Sequence, residues 1–72
     1  MGWNNMTLLE FLNELKHKSL NITLINEEGH HIYTTELGQY FHWVYRIHYD
    51  DYKILLIEPA NHGFTIQLDC ED

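Results

Sequence analysis

Cysteine is close to absent from this chain. Cys70 is the only one, so no disulfide can form within it, and that composition suits a reducing cytoplasm. Glycine is sparse and scattered: Gly29, Gly38 and Gly63 each stand alone, and none belongs to a glycine-rich loop able to cradle phosphate. Cations are few. Lys16, Lys18, Arg46 and Lys53 face eleven carboxylates, for a formal net charge of −7. Binding to a phosphate backbone relies on clustered lysine and arginine, so direct nucleic-acid binding is not expected. No apolar run approaches the roughly 20 residues of a membrane span, and no basic segment leads into an apolar one as in a signal peptide. A membrane partner is therefore not expected either.

Apolar residues make up 44% of the 72 residues and aromatics 14%, enough to build a core and to argue against disorder. A chain of this length forms one domain and buries roughly 60% of its unfolded surface. A deep substrate cavity would compete with the core for the same side chains. The acidic excess favours solubility, attraction to a basic protein surface, or imitation of a polyanion.

Thr7-Leu8-Leu9-Glu10 is a capping box, in which the Thr7 hydroxyl accepts from the Glu10 amide and Glu10 reaches back. Met6 and Phe11 flank it at the spacing of a hydrophobic staple, and Leu8, Phe11, Leu12 and Leu15 form one apolar stripe. Lys16, His17 and Lys18 suit the negative end of the helix dipole. Together these predict a helix over about 8–18.

The period then changes to two. Leu20, Ile22 and Leu24 alternate with polar residues, and His31-Ile32-Tyr33-Thr34-Thr35 reads as the hairpin partner. A three-residue Glu27-Glu28-Gly29 loop, with Gly29 left-handed, places Leu24 opposite Ile32. Phe41, Trp43, Tyr45, Ile47 and Tyr49 alternate with His42, Val44, Arg46 and His48, which predicts a strand over 41–49. Asp50-Asp51 reads as a two-residue tip, returning into 52–58 with Tyr49 opposite Tyr52, Ile47 opposite Ile54 and Tyr45 opposite Leu56. Ile54-Leu55-Leu56-Ile57 is apolar on both faces, the mark of a central strand. Phe64, Ile66, Leu68 and Cys70 outline a last strand. The expected fold is α+β: one N-terminal helix on an antiparallel meander of about five strands. Val44, Leu55 and Ile57 then converge on the face away from the helix, to be covered by the Trp3 segment and the 36–40 connection, or by another chain.

Six histidines, His17, His30, His31, His42, His48 and His62, show no helical zinc spacing, and Cys70 is remote from most of them, so no metal or cofactor is expected. His42, His48, Arg46 and Lys53 would share a sheet face and could in principle form an acid–base site. Alternating polar residues on a solvated face look the same, so no catalytic residues are expected. Asp69, Glu71 and Asp72 would raise the pKa of a Cys70 nucleophile. Acidic pairs fall at the two expected hairpin tips, Glu27-Glu28 and Asp50-Asp51, placed to dock against arginines and lysines.

The succession of the 7–15 helix, the 22–25 strand, the Glu27-Glu28-Gly29 turn and the Ile32-Tyr33 strand resembles small accessory proteins of bacteriophages and mobile elements. The likeness covers the first half of the chain. It implies a setting among inhibitors of host machinery, such as anti-CRISPR proteins, acting in the host cytoplasm, and it transfers no site residues. The expected function is non-enzymatic binding to a host protein with a basic surface. The contact residues would be Glu27, Glu28, Asp50 and Asp51, or Val44, Leu55 and Ile57 with His42, Arg46 and His48 around them. The alternatives are a homodimer joined through the Val44/Leu55/Ile57 face, or a small nucleotide ligand held between subunits.

Overall fold

The computed structural model describes residues 6–70. The sequence of residues 1–5 predicts a short irregular lead; that stretch, the Trp3 cover and the acidic Glu71-Asp72 end lie outside the described range. In chain order the elements are helix α1 (Leu8–Leu15), strands β1 (Asn21–Ile25) and β2 (His31–Glu36), one short helical turn α2 (Leu37–Tyr40), a 3₁₀ helix (Val44–His48), and strands β3 (Lys53–Ala60) and β4 (Gly63–Asp69). The fold is α+β. Its sheet has four strands rather than about five, in the order β2-β1-β4-β3, and it is mixed: the two hairpins are antiparallel, and their inner strands β1 and β4 run parallel.

The capping box forms as expected. Glu10 N donates to Thr7 Oγ1 at 3.3 Å, and Thr7 N donates to Glu10 Oε1 at 2.9 Å. The remaining amides of the first turn are satisfied as well, since Leu8 N reaches the Tyr52 carbonyl, Leu9 N the Asp50 carbonyl and Phe11 N that of Thr7. The helix stops at Leu15, short of the expected end near Lys18. Residues 16–18 form a turn closed by Lys18 N donating to Leu15 O.

The β1–β2 loop is the expected one, with Gly29 at φ 85° and Asn26 N donating to His30 O. The Asn26 side chain also accepts from the amides of Glu28 and His30, which locks the turn. Beyond it the expected register fails. Ile25 faces His31, but Leu24 faces Tyr33 rather than Ile32, because Ile32 is an extra residue in a bulge. The slip puts Tyr33 opposite a fully buried leucine, on the core side of the sheet.

The larger departure is at 41–58. Residues 41–49 are not a strand, and none of the three cross-strand pairs expected there forms as a ladder pair. The antiparallel pairing of β3 with the last strand β4 forms as the meander predicts, but without a 41–49 strand on its other side β3 is an edge, and β4 is central between β3 and β1. The doubly apolar run 54–57 is reconciled with an edge by a bulge. Ile54 faces Leu68, Leu56 faces Gln67 and Ile57 faces Ile66, so Leu55 is extra and both isoleucines meet the core side. Met6 and Thr7 cover the start of this edge, through Ile54 N donating to Met6 O, and Pro59 lies farther along it.

One core results. Leu8 and Leu12 of α1 and Leu37 and Tyr40 of α2 pack with Ile22, Leu24, Ile54, Ile66 and Leu68 on a single sheet face, all fully buried. Phe11 meets Phe64 edge-on at 5.9 Å. The 36–40 connection therefore covers the same face as the helix. The opposite face carries a polar row in which Thr34, Thr23 and Thr65 are ladder neighbours with Glu58, and Thr23 and Thr34 share a 3.2 Å hydroxyl contact. It is not the apolar surface expected from Val44, Leu55 and Ile57. Among the described residues no helix is long and apolar enough to cross a membrane.

Candidate functional site

Residues 37–52 follow a period of three that the two-residue alternation conceals. Leu37, Tyr40, Trp43, Arg46, Tyr49 and Tyr52 are all buried or half-buried, while most residues between them are exposed. The backbone follows the same rule: Trp43 N donates to Tyr40 O, Arg46 N to Trp43 O, Tyr49 N to Arg46 O and Tyr52 N to Tyr49 O. Every third residue therefore turns inward, as 3₁₀ geometry requires. On the inner side Trp43 is sandwiched, with Tyr33 at 3.9 Å and 13° and Tyr49 at 5.3 Å and 9° between ring planes.

A buried polar cluster braces the segment. Asp50 Oδ1 accepts from the Tyr40 hydroxyl at 2.6 Å, and Asp50 Oδ2 accepts from Arg46 Nη1 at 2.6 Å. The Arg46 guanidinium also lies 5.8 Å from the Phe41 ring centre. Burial is the main reason the Tyr40 hydroxyl is pushed well above its ordinary pKa. Its bond to the Asp50 carboxylate and that carboxylate's charge act in the same direction, and Arg46 opposes them. Asp50 in turn ties the segment to α1 through its carbonyl.

This bracing leaves three large apolar side chains facing solvent. Val44 is 76% exposed, Ile47 73% and Tyr45 58%. In a 3₁₀ helix side chains three apart eclipse, so Val44 and Ile47 form one row and Tyr45 and His48 the next. The Tyr45 and His48 rings stack at 6.3 Å. The result is a small apolar knob on a fixed support.

The residues singled out from sequence have diverse fates. Asp50 is not a solvated tip but a buried carboxylate occupied by Tyr40 and Arg46; its neighbour Asp51 is exposed. Glu27 is engaged by the end of the last strand: its carboxylate accepts from Cys70 N at 3.0 Å, and its carbonyl accepts from the Gln67 side-chain amide at 3.1 Å. Glu28 is exposed, 3.8 Å from His30. Val44, Leu55 and Ile57 do not share a face, because Val44 is on the knob, Leu55 is in the β3 bulge at 44% exposure and Ile57 turns to the core side. His42 and His48 are exposed, Arg46 is ion-paired, and Lys53 bridges to Thr7, so the suggested four-residue acid–base face does not assemble. Among the described residues no three histidine, cysteine or acidic side chains converge as metal ligands. A strand over 41–49 would set Tyr45 and Ile47 on the helix side of the sheet; the period of three is the signal in the sequence that turns them outward.

No protein-family model, characterised protein or solved structure matches this chain.

Proposed function

We propose that this chain is a small, non-enzymatic protein-binding module whose contact surface is the Val44/Tyr45/Ile47 knob, and that it acts by occluding a basic surface of a partner such as a nucleic-acid-handling protein of a host cell. One observation carries the reading: three large apolar side chains stand in solvent on a segment whose every third residue is anchored. Such residues gain most from being covered, and a rigid support lowers the entropy lost on binding. A net charge of −7 supplies long-range attraction to a partner with basic residues around an apolar pocket.

The test is affinity capture by the intact chain, paired with the Val44→Asp/Ile47→Asp variant. Both positions are exposed, so stability should change by less than about 0.5 kcal/mol. One dominant protein should be held by the parent chain and lost by the variant. Capture of nothing at low salt, or equal capture by the variant, refutes the reading.

The homodimer expected through Val44, Leu55 and Ile57 loses that surface, since the three do not share a face, but a dimer through a different surface has an observation of its own. Among the described residues the outer side of β2 has no ladder partner, and antiparallel self-pairing centred between Tyr33 and Thr34 would set His31 against Glu36 twice. Sedimentation equilibrium separates the two readings, since a strictly monomeric mass at high concentration removes the dimer.

A further inference from the structure

A cleft of about 440 Å³ lies where the turn after α1, the start of β1, the β2–α2 junction and the β3–β4 turn meet. Its walls are fixed through the backbone. Asn21 N donates to His62 O at 2.8 Å, and Leu37 N donates to Leu20 O at 2.8 Å. Gly63 sits so close to β1 that a Cβ there would fall 1.7 Å from the Asn21 carbonyl oxygen. His62 holds φ 63°, and among the described residues it alone is a non-glycine with positive φ. Left-handed backbone of this kind persists where the surroundings over-determine it.

The chemistry of the lining is unlike that of the rest of the protein. Lys16, His17, Lys18 and His62 all border the cleft, including two of the four cationic residues of a chain with eleven carboxylates. Among the described residues neither lysine is ion-paired, whereas Arg46 is. The helix dipole accounts for cations after α1. It does not account for a histidine from a different hairpin closing the same concavity. Glu36 is the one carboxylate in the lining, and Leu20 adds an apolar surface. The volume lies within the roughly 300–1,000 Å³ of small-ligand sites.

We infer that this cleft binds a small organic phosphate. The ammonium groups of Lys16 and Lys18 and the imidazole N–H groups of His17 and His62 hold the phosphate, as donors to its oxygens. Glu36 accepts from a hydroxyl or amine on the body of the ligand, which selects against bare phosphate. The site lies within one chain and needs neither the knob nor a partner.

The test is a titration of the intact ¹⁵N-labelled chain at constant ionic strength with adenosine 5′-monophosphate, inorganic phosphate and adenosine. Saturable shifts confined to the amides of 16–21, 36–38 and 62–63 are expected with both phosphates, and none with adenosine. The Lys16→Gln/Lys18→Gln variant should lose at least about tenfold in affinity for the monophosphate. The Lys53→Gln variant removes the same charge elsewhere and should bind unchanged. Glu36→Gln should weaken the nucleotide and leave inorganic phosphate alone. Shifts spread over the surface, equal response to adenosine, or full affinity in the double-lysine variant would overturn the inference.

Discussion

Replacing Tyr40 by phenylalanine removes one oxygen from a fully buried side chain and leaves its ring to pack as before. The lost group is a donor to a carboxylate at 2.6 Å, in a site where Asp50 then keeps Arg46 as its remaining side-chain donor. A charge-assisted bond of this kind contributes about 1.5–3 kcal/mol. A domain of this length has roughly 4–11 kcal/mol in total. A loss near 2 kcal/mol should lower the midpoint of thermal unfolding by about 8–16 °C. The pH dependence makes the test sharper. Tyr40 keeps its proton in the folded chain well above its ordinary value of 10.0, while in the unfolded chain it ionises near that value. The folded state thus binds more protons above pH 10, and the contribution of the hydroxyl is fully present below that pH and lost as pH rises. The difference between parent and Tyr40→Phe should be constant from pH 7 to 9, then shrink by about 1.4 kcal/mol at pH 11. Urea unfolding followed by tryptophan fluorescence measures it, and the other tyrosines cancel in the comparison. A variant within about 0.3 kcal/mol of the parent at pH 7, or a difference that holds constant to pH 11, would refute the assigned role of the cluster.

Two further outcomes follow from the backbone. Gly63→Ala forces β1 and β4 apart at the start of their parallel pairing and should cost roughly 3 kcal/mol. Gly38→Ala meets nothing within 4 Å in a helical turn and should be neutral or stabilising by up to about 1 kcal/mol; calorimetry on the pair checks both. Thr7→Ala removes the hydroxyl that caps α1 and should cost about 1 kcal/mol, read as a lower urea midpoint with unchanged slope.

Local signals were legible wherever one short stretch of chain carried the whole cause. Thr7 and Glu10 announce the start of α1 because a capping box needs only four consecutive residues. Asn26 and Gly29 announce the first turn for the same reason, and Ile22, Leu24, Ile66 and Leu68 read as buried strand positions because a half-buried strand imposes alternation. The alternation over 41–49 was misleading because aromatics populate several periods at once. Trp43 and Tyr49 sit at even spacing as well as at spacings of three, and local sequence does not choose between the two. The choice comes from Tyr33, which stacks on Trp43 only after the Ile32 bulge, and from Tyr40, which reaches Asp50 across ten residues. With 41–49 withdrawn from the sheet, β3 keeps β4 as its ladder neighbour and becomes an edge.

The sequence by itself determined the class of fold, the capped helix, the first turn, the acidic charge and the absence of an internal disulfide, all properties of composition or near neighbours. The tertiary structure alone decided which strands are central, that Asp50 is buried rather than offered to a partner, that Val44, Tyr45 and Ile47 face water, and that Lys16, Lys18 and His62 share one concavity. Each of these depends on contacts between residues far apart in the chain, whose free energy is set by the packing they reach together.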